Sequence, residues 1–578
     1  MAVAAAARRL TGPPPAARLQ STPTSLWDVG RWRRAAVGVG LAVILGGLVG
    51  CGDKNGGGNG IGNGTVDENG PSESPVPVVA VFPSQVTVAK GQTVTFAATV
   101  DGSAGPVVWS VEGGAAQGTV DSLGTYTAPP TVSDQPVIVR ATSASDSRGT
   151  ATASVRLVVG GALTVNQNQA LSPAGTRANT FSGGQRSVAV FGSTVYLVWN
   201  DDREGQGNED VYLAVSRDRG QTFTGPALRV NDDNGTAPQR APSVAVDGMG
   251  RAVIAWLDGR HDPTPNDAEL LFDVYIATVN ASGSGPVTVG GNQRVTIAGT
   301  PEERDPSVAL ALAPSGNLYL AWGDGSGGDT DILVAKGTRN ASGGFDIAQP
   351  PTRANDNTFS DQSRPTVAVD AAESLLVAWN DRRSGDQDVY WRRGRFLPAG
   401  GVAWTTSPEV RVNLGVDGDQ TSPSVAWSQD GGAHIAWSQQ KGLLGRRRLF
   451  FATSLQENLA VASNREVIDS TTVADQNFPS LAVDGAEVTI AFADNRKCTG
   501  DPQTPCPEDP NGTGPTDVYV VRSLDGGATF FPSVRLNNDQ TSSPHGRPSV
   551  ALDDVGRAYA IWTDDRNGSS QAFMTRAE

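Results

Sequence analysis

From about residue 77 to 160, apolar and polar residues alternate in short runs broken by Gly, Pro, Asn, Asp and Ser. A period of two between turn signals predicts half-buried β-strands. Between 77 and 160 the runs read VTVAKGQTVTFAATV (86–100), PVVWSV (106–111), GTYTAP (124–129), PVIVRATSA (136–144) and TASVRLVV (152–159). Short strands spaced this way predict a β-sandwich, with Trp109 as its core plug. No cysteine lies in the stretch, so no disulfide can join its sheets.

Residues 161–578 repeat themselves. A first strand recurs as RSVAV (186–190), PSVAV (242–246), PSVAL (306–310), PTVAV (365–369), PSVAW (423–427), PSLAV (479–483) and PSVAL (548–552). A second ends on an aromatic at Trp199, Trp256, Trp322, Trp379, Trp437, Phe492 or Trp562. A third begins DVY at Asp210, Asp273, Asp388 and Asp517, or DIL at Asp331. A fourth has the form xRVN, at 163–166, 228–231, 293–296, 352–355, 410–413, 465–468 and 534–537. Seven copies at a spacing of 56 to 69 residues predict a seven-bladed β-propeller of four-stranded blades, with six blades as the alternative. The chain opens with a fourth-type strand and ends on a third-type one. Strand 163–166 should therefore complete the last blade and close the ring.

Two copies of an eight-residue pattern lie between third and fourth strands: SRDRGQTF (216–223) and SLDGGATF (523–530). Ser216, Asp218, Gly220, Thr222 and Phe223, with Ser523, Asp525, Gly527, Thr529 and Phe530, are residue types that build a turn: an acid for backbone N–H groups, a glycine for positive φ, an aromatic plug. This pattern resembles the Asp-box turn, and the region resembles the sialidase superfamily of Asp-box, or BNR-repeat, propellers. The resemblance implies that any active site lies on the opposite face. The 77–160 segment, with VAKGQTVTF followed by VVWSV and LGTYTAP, resembles bacterial Ig-like domains, which implies a spacer or a weak adhesive module.

The second strand runs on as aromatic-x-Asp-x-Arg: Asp201/Arg203, Asp258/Arg260, Asp381/Arg383, Asp494/Arg496 and Asp564/Arg566. Trp322 keeps Asp324 but has Ser326, and Trp437 is followed by Gln439 and Lys441. These pairs are either a ring of charge around the mouth or clips that fix the loops beside them; recurrence favours clips. Sialidase chemistry, as the resemblance implies it, needs three arginines, a tyrosine nucleophile assisted by a glutamate, and an acid/base aspartate. Every tyrosine occupies a repeat position: Tyr196, Tyr319 and Tyr559 in second strands, Tyr212, Tyr275, Tyr390 and Tyr519 in third strands, with Tyr126 in the sandwich. No catalytic residue is therefore assigned. Arg186, Arg364 and Arg547 precede first strands and could imitate part of an arginine triad, though they too are repeat-like.

A net charge of −15 excludes nucleic acid and anionic lipid as main partners. The three cysteines divide into one and two. Arg31, Arg33 and Arg34 precede the apolar run 35–50, which ends Leu48-Val49-Gly50-Cys51. A basic region followed by a short apolar one predicts a signal peptide, and the junction resembles a bacterial lipobox. By that resemblance Cys51 is lipidated, residues 1–50 are a leader, and 51–76 form a flexible Gly/Asn-rich tether. Cys498 and Cys506 could form a disulfide in the insertion 497–517, where Asp501, Glu508 and Asp509 could coordinate calcium. His261, His434 and His545 are scattered, so no metal cluster is visible and no cofactor is assigned. The expectation is a monomeric lipoprotein at the outer membrane or cell surface that binds a glycan or a protein. Its rivals are an exo-acting glycoside hydrolase or lyase and a structural scaffold.

Overall fold

The computed structural model describes residues 75–578 except 103–104, 132–134, 162, 182–185, 263–270, 297–299, 302–306, 326–328, 357–358, 416–417, 429–430, 441–445, 462, 468–473 and 497–514. The expectations for the leader, Cys51, the tether, Cys498, Cys506, Asp501, Glu508 and Asp509 lie outside the described residues. Among the described residues no helix is long and apolar enough to cross a membrane.

Seven antiparallel sheets follow one another along the repeat region. Each begins with a first strand: Val188–Phe191, Gln239–Val246, Val308–Leu312, Gln362–Val369, Gln420–Trp427, Gln476–Asp484 and His545–Leu552, in sheets one to seven. Every first strand lies against the first strand of the next sheet, and the seventh lies against the first. The first strands are thus the inner ones. The recurrent Ser or Thr of the P-[ST]-V-A motif explains how they hold together. The Thr366 hydroxyl accepts the Val425 N–H at 3.3 Å, Ser424 that of Leu481 at 3.1 Å, and Ser480 that of Val550 at 3.1 Å. Ser549 accepts the Ser187 N–H at 3.0 Å, which joins the last sheet to the first. Apolar side chains of adjacent sheets fill the layers between them: Trp256 is fully buried against sheet one, and Trp199 against sheet seven.

The outer strands fall where the xRVN motif predicts them, as at Leu228–Arg229 and Val534–Arg535, with one correction. Sheet seven receives Gln169–Ala170, paired with Phe573 and Met574 of Gln571–Ala577. Residues 163–166 pair farther along the same strand: Val165 bridges Ala577, and Thr164 exchanges hydrogen bonds with Glu578 at 2.7 and 3.0 Å. The true outer strand escaped notice because Ser172 replaces the motif's asparagine. Its hydroxyl accepts the Ala572 N–H at 2.9 Å, as Asn231 accepts that of Val211 at 3.0 Å. Sheet two departs in a smaller way, since its third strand starts at Leu271, ahead of Asp273.

Both eight-residue patterns are turns. Ser523 donates to Asp525 Oδ1 at 2.7 Å and accepts the Gly527 N–H at 2.9 Å, while Thr529 donates its N–H and hydroxyl to the Asp525 carboxylate at 2.8 and 2.6 Å. The 216–222 turn repeats the same bonds. Gly527 has φ +83°, and a Cβ there would stand 2.2 Å from Phe451 of the preceding sheet. Burial opposes ionisation of Asp525, but the bonds from Thr529 and Ser523 outweigh it and hold its pKa below the usual value.

Before the repeats, a four-stranded sheet and a three-stranded one share the core of Val88, Phe96, Tyr126, Val139 and Val155. Tyr126, fully buried, is the plug of that core. Trp109 is only partly buried, tilted against Phe96 at 6.2 Å. The reason is polar: the Tyr126 hydroxyl donates to the Gln117 carbonyl at 2.6 Å, so it can be buried without losing a bond. This region meets sheets six and seven through Arg156, which donates to the Asp554 carbonyl at 2.7 Å, and through Arg522, which donates to the Gly160 carbonyl at 2.6 Å.

Candidate functional site

The inner strands of sheets two, four, five, six and seven carry β-bulges between Arg240/Ser243, Ser363/Thr366, Thr421/Ser424, Asn477/Ser480 and Gly546/Ser549. The residue before each bulge's proline is Ala241, Arg364, Ser422, Phe478 or Arg547, with φ between 51° and 58°. Left-handed backbone at a non-glycine residue costs about 1–3 kcal/mol and concentrates at functional positions. A bulge also re-aims a side chain out of the strand's alternation.

In sheet one, Arg186 stands one position later, where the other sheets have the proline. Its guanidinium donates to the Val425 carbonyl of sheet five at 2.8 Å. The neighbours of sheet one are sheets two and seven, so this side chain crosses the middle of the array. Arg364 reaches Ser422 Oγ at 2.6 Å and stands 5.9 Å from the Phe478 ring. Arg547 stands 5.9 Å from the ring of Phe181, which packs against the core of sheets two and three. Arg186 and Arg364 thus both reach the inner strand of sheet five, Arg364 beside Phe478, while Arg547 lies beside Phe181. Burial lowers the pKa of Arg186, and among the described residues no carboxylate pairs with it. Asp305, at the repeat position of Arg364 and Arg547 in sheet three, lies outside the described residues. Guanidinium forks beside apolar rings suit a planar anion carried on a ring.

The aromatic-x-Asp-x-Arg motif builds clips. The Trp256 indole N–H donates to Asp258 Oδ2 at 2.8 Å, and Arg260 donates to both carboxylate oxygens at 2.9 and 2.8 Å. The same two-pronged pair forms at Asp201/Arg203, Asp381/Arg383 and Asp564/Arg566, each Asp fully buried.

Arg496 is bound to Asp494 in the same way. Its backbone N–H donates to Asp494 Oδ1 at 2.8 Å and its Nη2 to Oδ2 at 2.7 Å, while Nη1 turns to Ser533 Oγ at 3.2 Å. Ser533 lies immediately before the outer strand Val534–Arg535 and takes the Nη1 arm, as Asp232 takes that of Arg260 at 2.7 Å. Arg496 thus ties the second strand of sheet six to its outer edge.

These ten residues form the clips that recurrence favours, which corrects their alternative candidacy as a ring of charge around the mouth. Asp201, Asp258, Asp381, Asp494 and Asp564 are buried, and Arg203, Arg260, Arg383, Arg496 and Arg566 are each bound to the Asp two residues before. Each guanidinium also lies over an aromatic of the third strand: Tyr212 at 3.6 Å, Tyr275 at 4.5 Å, Tyr390 at 4.1 Å, Tyr519 at 4.0 Å and Phe573 at 4.3 Å. Burial pushes the Tyr519 hydroxyl up to about 12, and those of Tyr212, Tyr275 and Tyr390 also rise. Raised values oppose a phenolate nucleophile at neutral pH.

Of the three histidines, His434 is buried within its strand and His261 stacks on Tyr275 at 6.0 Å. His545, scattered in the sequence, comes between Asp539 and Asp564. No spacing rule would find that group, because its members come from three separate elements.

No family model matches the chain, and no curated protein does. Solved structures resemble it at low identity. A polysaccharide lyase of the ulvan lyase kind, bound to an oligosaccharide, is 14% identical with a TM-score of 0.43, over 69% of this chain and 94% of that one. The Trypanosoma rangeli sialidase in complex with the inhibitor DANA is 10% identical with a TM-score of 0.38, over 68% of this chain and 55% of that one. An α-L-arabinofuranosidase of Fusarium graminearum is 14% identical with a TM-score of 0.36, over 55% and 92%.

Proposed function

We propose that the protein is an exported, lipid-anchored envelope protein in which an Ig-like sandwich carries a seven-bladed β-propeller, and that the propeller binds an acidic glycan at its axis. The observation that carries the reading is Arg186, which crosses the middle to sheet five, with Arg364 and Arg547 one repeat position earlier, on the bulges of sheets four and seven. Seven sheets and a hydrogen-bonded seam between first and last support the blade count. The anchor rests on the sequence Leu48-Val49-Gly50-Cys51. Binding is favoured over hydrolysis because the third-strand tyrosines lie under guanidinium groups with their pKa values raised. Phe181 and Phe478 supply apolar faces for sugar rings, and the arginines supply the charge preference.

Calorimetric titration of residues 77–578 with a polyuronate and with a neutral glucan of equal length tests this. The polyuronate should bind and the glucan should not. Arg186→Ala and Arg364→Ala should each weaken binding about 10- to 100-fold, the worth of a charge-assisted hydrogen bond. Equal affinity for both polymers, or affinity untouched by either change, overturns the proposal.

A further inference from the structure

We propose that Asp539, His545 and Asp564 form a divalent-cation site of the kind that takes Zn²⁺, at the join of sheets six and seven. Asp539 lies on the connection that follows Val534–Arg535, His545 opens the inner strand of sheet seven, and Asp564 ends the second strand. His545 and Asp564 are fully buried, and the Asp539 side chain is 9% exposed.

The orientation of the imidazole carries the argument. Nδ1 stands 2.7 Å from the Thr516 carbonyl oxygen, which can only accept, so Nδ1 holds a proton. Nε2 faces Asp539 Oδ1 at 3.1 Å and Asp564 Oδ1 at 3.4 Å but makes no hydrogen bond. In the neutral ring its lone pair would point at two anionic oxygens, in a place closed to water. A cation between the three groups removes that conflict. The separations suit one: ligand atoms around a tetrahedral ion with bonds of about 2.0–2.1 Å lie about 3.3–3.4 Å apart.

Sheet two shows what the repeat does without a histidine. There Gln239 aims its amide nitrogen at Asp233 and Asp258, at 3.5 and 3.4 Å. Asp539 and Asp564 are the counterparts of those two acids, so His545 puts a nitrogen ligand where the repeat otherwise puts an N–H donor. Asp564 Oδ2 is held by Trp562 at 2.8 Å and by Arg566 at 2.5 Å, and Oδ1 also accepts the Arg566 backbone N–H and Nε at 3.0 and 2.8 Å, contacts that orient the carboxylate. One nitrogen and two carboxylates favour zinc over calcium, which takes six to eight oxygens.

The test uses the untagged full-length protein stripped with a chelator, with and without ZnCl₂. Wild type should take up about one equivalent of zinc by elemental analysis and gain roughly 3–6 °C in Tm. His545→Gln, which restores the amide of sheet two, should fold with the Tm of the stripped wild type and bind no zinc. Asp539→Asn should weaken uptake at least tenfold. Absence of uptake by wild type, or equal uptake by His545→Gln, overturns the site. So does a stripped protein that loses stability as pH rises and ignores zinc, because His545 then works as an imidazolium.

Discussion

The seam between first and last sheets joins distant parts of the sequence, and it can be opened with two substitutions. Thr164 and Asn166 donate their N–H groups to the carbonyls of Glu578 and Arg576 at 2.7 and 2.9 Å. Thr164→Pro/Asn166→Pro removes both donors and leaves two half-buried carbonyls without partners. Two lost bonds at about 1 kcal/mol each, plus about 1 kcal/mol for each stranded carbonyl, sum to roughly 4 kcal/mol. Leu163 and Val165, which pack against the core of sheets six and seven, would be pulled away as well. Against a total of about 5–15 kcal/mol for a folded protein, that loss is large, and for a unit of this size it lowers Tm by roughly 5–10 °C. Differential scanning calorimetry gives the shift, and hydrogen exchange should localise the new opening to Gln571–Ala577 and its neighbour in sheet one. A double variant that melts within about 1 °C of the parent would refute closure as a source of stability.

Other expectations follow from single residues. Asp258→Ala strands the Trp256 indole and leaves the Arg260 guanidinium hydrogen-bonded only to Asp232 and Asn292, so urea unfolding should show a loss of about 3 kcal/mol, whereas Glu112→Ala, which breaks an exposed pair with Arg140, should cost under about 1 kcal/mol; equal losses would contradict the clip. Glu373 accepts bonds from Lys336, Ser315, Asn317 and Tyr319 at 2.7–2.8 Å. Burial opposes its ionisation, yet these bonds bring its pKa down to about 2. A depressed carboxylate contributes stability above its unfolded value that is lost as pH falls through the folded one. Glu373→Gln should therefore cost on the order of 2 kcal/mol at pH 7 after allowance for partial exposure, and the difference should vanish between about pH 4 and 2; a gap that persists at pH 2 contradicts the linkage. Cys51→Ala should abolish labelled palmitate incorporation in a bacterial host and release the protein from membranes, and retention at the membrane would refute the anchor.

The repeat, its strand order and its turns were legible in the sequence because each rests on local physics. Alternation marks the strands of the sandwich. Apolar runs between turn signals mark the repeat's strands, which are buried on both sides, and Ser-x-Asp-x-Gly-x-Thr-Phe closes its own bonds within five residues. The clips were legible for the same reason, since Trp256, Asp258 and Arg260 are two residues apart. Arg496 shows the limit of that reasoning, because its second acceptor, Ser533, lies 37 residues away and only folding brings it near. The reach of Arg186 and Arg364 to the inner strand of sheet five lies beyond local reasoning too, because Val425 and Ser422 are 239 and 58 residues away. Nor could the sequence distinguish 163–166 from 169–170 as the outer strand, because Ser172 does the motif's work without its asparagine. The same holds for His545. Its two acids lie 6 and 19 residues away, and the turn of the chain between sheets six and seven brings all three together.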